Sequence, residues 1–156
     1  MSNFADPSDS VLNVAAYIFD RLHKLGPVDA MKLQKLLYYC NAWSLADRGV
    51  PMFDDEIQAW KHGPVVASIY PLHRGRIDLE SWPRGDAAAL TPNDARFIDG
   101  IVDAYGGLSG WRLRNLTHQE APWVEAWEDA GYGVRLGVPI SPHSMATYYR
   151  GLRSQR

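Results

Sequence analysis

Three residues have side chains suited to acid–base or metal chemistry: His62, His118 and Glu120. Imidazole and carboxylate groups that converge in space can exchange protons near neutral pH or bind a divalent metal. Their spacing does not indicate such a site, because His118 and Glu120 lack the pair of histidines four residues apart that zinc-binding helices use. A histidine that hydrogen-bonds a helix end explains His62 and His118 equally well. A small hydrolase that uses these three residues is therefore an alternative, and the sequence predicts no metal ligands and no cofactor.

The other nucleophiles and glycine pairs also favour structural roles. Cys40 lies among Leu and Tyr residues, and a buried thiol in apolar surroundings has a raised pKa and little reactivity. The serines do not occur in a Gly-x-Ser-x-Gly context. The Gly106-Gly107 pair and the 131–133 Gly-Tyr-Gly stretch are more typical of helix ends than of phosphate-binding loops. The sequence thus predicts no catalytic residue, and we expect a protein that is not an enzyme.

Composition limits the classes of partner. The chain has 156 residues, which favours one domain, and 46% of them are hydrophobic. A net charge of −2 argues against general electrostatic binding to nucleic acid, so direct nucleic-acid binding is not expected. The single cysteine fits a reducing compartment. The polar N-terminus does not match a signal peptide, and no apolar run approaches the ~18 residues of a membrane span. We therefore expect a cytoplasmic protein without a membrane partner.

A helix is predicted over residues 29–48, the segment that contains Cys40. Asp29 is its predicted N-cap, and Gly49 provides the left-handed residue that commonly follows a helix. The segment is apolar over most of its circumference, as is typical of a helix surrounded by other elements. The residues expected to require water are Lys32, Lys35, Asp47 and Arg48. We expect this helix to be the centre of the domain.

The remaining pattern predicts a mainly α fold with a small β part (α+β). Residues 1–9 are expected to form a flexible arm, and 10–156 a single domain whose first helix is capped by Ser10. Further helices are predicted to begin near Pro64, Thr91, Ser109, Ala121 and Ser141. The helix from Pro64 is expected to end or kink near Tyr70 at Pro71. The helix from Ala121 is expected to end at Gly131, and residues 131–140 to form a glycine-rich connector.

Two short stretches alternate like strands, at residues 56–60 and 77–79. They could pair with each other as a small hairpin. Trp60 ends the first stretch next to a Gly63-Pro64 turn. Either it packs under the central helix, or it forms a rigid rim of a partner-binding groove, and the two roles are compatible.

A basic loop containing Arg74, Arg76 and Arg84 also includes aromatic rings. It could contact nucleic acid or an acidic protein. Acidic residues are interleaved with the arginines and cancel much of their field, so a solvated loop is the plainer interpretation.

Taken in order, several motifs resemble one known family. The matching stretches are Met31-Lys-Leu-Gln-Lys-Leu-Leu-Tyr-Tyr39, Pro51-Met-Phe53, Ile57-Gln-Ala-Trp60, His62-Gly-Pro-Val65, Leu116-Thr-His118, Glu120-Ala-Pro-Trp123, and Ile140 with Tyr148-Tyr149. Together they span nearly the whole chain and resemble the Panacea domain of SocA-like antitoxins, long described as phage-associated proteins. The resemblance implies a mostly helical domain of a toxin–antitoxin system that neutralises a cognate protein toxin, usually encoded beside it. It implies no agreed catalytic residues.

The resemblance leaves the mode of neutralisation open. The first hypothesis is direct binding of the toxin, and its variant is an adaptor that delivers the toxin to an ATP-dependent protease of the AAA+ type. The hydrolase named above is the alternative from a different class. The expected contact residues for a protein partner are Lys32, Lys35, Tyr39, Trp60, His62, Trp82, Trp123 and Arg153.

Overall fold

Helices dominate the fold in a computed structural model that describes residues 4–130 and 137–155. The helices are α1 (Asp9–His23), α2 (Ala30–Arg48), α3 (Tyr70–His73), α4 (Pro92–Tyr105), α5 (Gly110–Thr117), α6 (Ala121–Asp129) and α7 (Pro142–Ser154). The short strands are β1 (Val28–Asp29), β2 (Ile57–Trp60), β3 (Gly63–Val66), β4 (Asp78–Leu79) and β5 (Val138–Pro139). The predicted mainly α fold with a small β part is confirmed. The expected helix end at Gly131 and most of the 131–140 connector lie outside the described residues.

The predicted central helix is confirmed as α2. The Asp29 carboxylate accepts hydrogen bonds from the backbone N–H groups of Met31 and Lys32, and Gly49 follows the helix with a φ of 73°. Of the 19 residues in α2, 15 are buried, because α1, α4, α5, α7 and β3 all contact it. Full burial of each large apolar side chain contributes ~1.5–3 kcal/mol. One expectation is wrong: Lys35, predicted to require water, is buried.

Helices α1, α4, α5 and α7 are amphipathic and contact α2. The first of them begins two residues earlier than predicted, because Ser8, not Ser10, is the N-cap and its Oγ accepts from Val11 N at 3.1 Å. Ser8 also donates to Asp55, which attaches the segment before α1 to the loop before β2. The division into an arm (1–9) and a domain (10–156) stays a prediction. No helix among residues 4–130 and 137–155 is long and apolar enough to cross a membrane.

The two predicted strands are present as β2 and β4, but their partners differ from the prediction. Residues 57–60 pair antiparallel with β3 and β5, and Val28 pairs with Leu79 in a separate two-stranded sheet. The predicted hairpin between 56–60 and 77–79 is therefore wrong. Only Lys61 and His62 separate β2 from β3, and closing so short a loop costs less entropy than closing the long loop that leads to residue 77.

The predicted helix beginning at Pro64 is also wrong. Residues 63–66 form β3, and only a single helical turn, α3, follows at 70–73. Consecutive Val65 and Val66 are β-branched and favour a strand. Pro71 lies in the first turn of α3 and does not end a longer helix, because a first-turn residue needs no N–H donor.

A buried hydroxyl–carboxylate network attaches α7 to α2. Glu120 Oε1 accepts hydrogen bonds from Tyr39 Oη at 2.6 Å and Tyr149 Oη at 2.9 Å. A third tyrosine, Tyr38, contacts Tyr149 with 2.9 Å between their hydroxyl oxygens. Desolvation raises the pKa of Glu120, against the effect of the two hydroxyl donors. The carboxylate therefore depends on these donors in place of water.

Replacing Tyr149 with Phe should lower the free energy of unfolding by ~1–3 kcal/mol, because the buried carboxylate loses one of its two donors. Urea denaturation measures this change. The matched control is Tyr148→Phe, at the half-buried neighbouring residue, which should stay within ~0.5 kcal/mol of the parent. Equal effects of the two substitutions would show that the network contributes nothing specific.

Candidate functional site

A groove with a volume of about 630 Å³ lies beside the N-terminal half of α2. We call it the α2 groove. The β2–β3 turn, α3, the residues before β4 and the start of α5 complete its lining. Its buried side chains include Gln34, Lys35 and His73, its half-buried ones Trp60 and Tyr70, and its exposed ones Lys61, His62, Arg76, Ile77 and Trp111. The groove thus combines aromatic and cationic side chains.

Lys35 is a buried amine in the lining of this groove. Its Nζ donates to the backbone oxygen of Pro64 at 3.1 Å, and among the described residues no carboxylate pairs with it within 4.0 Å. Desolvation lowers its pKa to about 7, with Arg114 adding to this effect and Asp29 opposing it. The amine therefore changes protonation state near neutral pH.

Gln34 connects α2 to β3 and α3. Its side-chain amide forms both hydrogen bonds to the backbone of Val66, accepting at 2.8 Å and donating at 3.3 Å. The same amide nitrogen lies 3.0 Å from His73 Nε2. Desolvation lowers the pKa of His73 to about 4, so the ring is neutral and accepts from the amide at Nε2. These bonds fix the inner end of the groove.

Aromatic rings make up two sides of the groove. Trp60 packs edge-on against Tyr70 with 4.8 Å between ring centroids, and Phe4 lies 6.1 Å and 5.8 Å from these two rings. On the other side, the guanidinium of Arg114 lies 4.4 Å from the centre of the Trp111 ring. Trp111 is 56% exposed, so the groove presents a large apolar surface to solvent.

Arg114 and His62 form a charged contact at the edge of the groove. Arg114 Nε donates to His62 Nδ1 at 3.3 Å. Desolvation, followed by the charge of Arg114, lowers the pKa of His62. The exposed imidazole is therefore neutral at pH 7 and accepts from the arginine.

The turn between β2 and β3 requires a glycine at its end. Gly63 has a φ of +107°, and a Cβ there would lie 2.7 Å from Lys35 Cε and 2.9 Å from Thr117 Oγ1. Any other residue would displace the lysine or the hairpin. Trp123 binds the β2–β3 hairpin, since its Nε1 donates to the backbone oxygen of Trp60 at 2.8 Å.

The structure brings Lys35, Trp60 and His62 together in the groove, three of the eight residues predicted to contact a partner. Lys32 is half-buried in the next position along α2 from the lining residue Met31. Two predicted residues lie apart from the groove. Trp82 packs on Phe19 with 6.4 Å between ring centroids, and Arg153 pairs with Asp47 near the end of α7.

Three of the predicted contact residues are buried: Lys35, Tyr39 and Trp123 are 2%, 0% and 8% exposed. Tyr39 donates to Glu120 and Trp123 to Trp60, so each binds another part of the same chain. Periodicity predicted where these residues lie on their helices, but not the long-range partners that cover them. Whether any of the eight contacts a partner stays a prediction.

The residues of the alternative hydrolase lie in different environments. The His118 ring stacks on Trp123 at 3.9 Å, and desolvation lowers its pKa to about 4. Glu120 is occupied by two tyrosine hydroxyls. Within residues 4–130 and 137–155, no group of three or more His, Cys, Asp or Glu side chains could bind a metal.

The sequence did not indicate several residues of the groove. Gln34, Trp111 and Arg114 were not among the predicted contact residues, although they contact or line the groove. One available signal was Gln34 next to Lys35 within an otherwise apolar helix, since a buried polar pair requires specific partners. Trp111 carried no such signal, because a tryptophan at helical spacing is equally typical of a core.

Comparisons with known proteins agree with the sequence motifs. A family model described as the Panacea domain of SocA-like antitoxins matches residues 33–124. Antitoxin SocA of Caulobacter vibrioides (strain NA1000 / CB15N) is 38% identical over 141 residues, which cover 81% of this chain and 75% of the relative. No solved structure matches the chain significantly. The matched region includes most of the residues that line the groove.

The lowered pKa of the Lys35 amine predicts that the free energy of unfolding rises with pH. The pKa of Lys35 is about 7 in the folded chain against an ordinary value of 10.5, so between these values the unfolded chain binds a proton that the folded chain does not. The free energy of unfolding should therefore rise by about 2 kcal/mol between pH 7 and pH 8.5 on this account. Denaturant titrations across this range measure it.

Lys35→Met should remove this rise, while Lys61→Met, at an exposed lysine of the same groove, should retain it. The comparison between variants is needed because other groups titrate in the same range. An identical pH dependence in the parent and in Lys35→Met would contradict the assignment.

Proposed function

Because the chain belongs to the SocA-like antitoxins that carry a Panacea domain, we propose that it neutralises a cognate protein toxin by binding it at the α2 groove. The observation that supports this site most is the exposure of apolar side chains beside cations. Ile77 is 80% exposed and Trp111 56% exposed, and both line the groove. Tryptophan, tyrosine and arginine dominate the binding energy of protein interfaces.

The groove is suited to be the centre of a larger interface. A stable protein complex buries about 1,600 Å² in total, which exceeds the surface of one groove. Residues around it would supply the remaining contacts, and among the predicted set the accessible ones are Lys32, Trp60 and His62. Trp82 and Arg153 lie elsewhere, so contact with them would require a toxin that extends over other faces.

The groove residues are better arranged for binding than for chemistry. Gln34 bonds His73 and the backbone of β3, and His62 accepts from Arg114. These polar groups already have partners within the chain, as expected of a rigid surface. A preorganised surface loses less conformational entropy when a partner binds.

Delivery to a protease would use the same binding step. Sequestration leaves the half-life of the toxin unchanged or longer, whereas an adaptor shortens it when the protease is present. Pulse-chase labelling of the toxin, with and without this protein, separates the two mechanisms.

The direct test is co-expression with the protein encoded beside this chain, followed by affinity purification and a growth-rescue assay. The parent protein should co-purify with that toxin and restore growth. Trp111→Ala should weaken the affinity about 30-fold, the loss expected when a central aromatic anchor is truncated.

The matched control is Val50→Ala. Val50 is 53% exposed, similar to Trp111 at 56%, but it lies beyond the opposite end of α2. This control should bind the toxin like the parent. Failure of the parent to co-purify, together with no growth rescue, would contradict the proposed function. Binding unchanged by Trp111→Ala would place the interface elsewhere.

A further inference from the structure

The α2 groove carries a charge opposite to that of the whole chain. Its lining contains Lys35, Lys61 and Arg76 against one acidic residue, Asp29, while the chain has a net charge of −2. The carboxylate of Asp29 already accepts from two backbone N–H groups at the start of α2. The lining therefore carries a net charge of +2 when Lys35 is protonated, since three basic side chains face one carboxylate.

The buried amine of Lys35 is incompletely paired when it is protonated. A protonated lysine has three N–H donors, and among the described residues Nζ of Lys35 has one hydrogen-bond acceptor, the oxygen of Pro64. A buried cation is unfavourable unless an anion and further acceptors compensate it. A carboxylate that entered the groove would supply both.

We propose that the groove binds an acidic segment of the toxin, with one carboxylate of that segment on Lys35 and others beside Lys61 and Arg76. This inference rests on the proposed function and specifies the chemistry of its partner. Neighbouring apolar side chains of the segment would pack on the exposed rings and on Ile77. The exposed apolar side chains favour a polypeptide over a small free anion, because a small anion has no apolar surface with which to cover Trp111 and Ile77.

The dimensions agree with a short stretch of chain. A volume of about 630 Å³ lies within the ~300–1,000 Å³ typical of sites that enclose small ligands, so it accommodates a few side chains and not a whole domain. Trp60 and Tyr70 are fixed against each other, and Gln34 fixes β3 behind them. The segment would enter a preformed site.

The test uses two double charge reversals that change the net charge equally. Lys61→Glu with Arg76→Glu alters the groove, whereas Arg84→Glu with Arg96→Glu alters exposed arginines outside its lining. Isothermal titration with the co-purified toxin should show affinity reduced more than about tenfold for the groove pair. The control pair should remain within about twofold, since exposed charges away from an interface contribute little.

Salt dependence and Lys35 provide two further readouts. Affinity of the parent should fall between 50 mM and 500 mM NaCl, and the groove pair should lose most of that dependence. Lys35→Met should weaken binding about tenfold while remaining folded by circular dichroism. A toxin whose acidic cluster is changed to basic residues should bind the groove pair and should no longer bind the parent.

A random 12-residue peptide library displayed on phage tests the inference without the toxin. Peptides selected on the parent should be acidic with apolar neighbours, and they should not bind the groove pair. Equal toxin affinity for both double variants, or selected peptides without acidic residues, would overturn the inference even if the toxin binds. Absence of toxin binding by the parent, with acidic peptides still selected at the groove, would instead overturn the proposed function and the toxin as partner, and would support the acidic chemistry of the groove ligand.

Discussion

The fold depends on polar side chains buried on the central helix, each of which bonds the backbone of a neighbouring segment. The pairs are Gln34 with Val66, Lys35 with Pro64, Asn41 with Met52 and Phe53, and Ser44 with Val50. Leaving such a group buried without a partner costs ~1–3 kcal/mol. The helix therefore specifies where the following loop and hairpin lie, in addition to providing apolar surface for the core.

The groove follows from this constraint. Its inner end is formed by two of these polar residues, and its hairpin is fixed by the close approach of Gly63 to Lys35. One turn farther along α2, Glu120 binds tyrosines from α2 and α7. A surface attached to the core in this way is rigid before any partner arrives, as expected of a module that acts by binding. We propose that the cationic and aromatic lining then determines which partner it selects.

Local signals predicted the helices well and the β part poorly. The bounds of α2 follow from Asp29 and Gly49, because capping chemistry is read within a few residues. Residues 63–66 were predicted as helix, since the bond that stabilises the strand comes from Gln34, about 30 positions earlier. Lys35 was predicted to be exposed for a similar reason, because Pro64, whose backbone oxygen accepts its hydrogen bond, lies on β3. Trp60 and His62, which line the groove, were among the predicted contact residues because an aromatic beside a Gly-Pro turn is a local feature.

Hydrogen–deuterium exchange of the protein, alone and in complex with its co-expressed toxin, tests the central claim most directly. A partner seated in the α2 groove should slow the exchange of backbone amides in residues 57–77 and 110–114, which flank it, and leave α4 unchanged. Unchanged exchange in both of these segments, with new protection on α4 or on another distant face, would contradict the account.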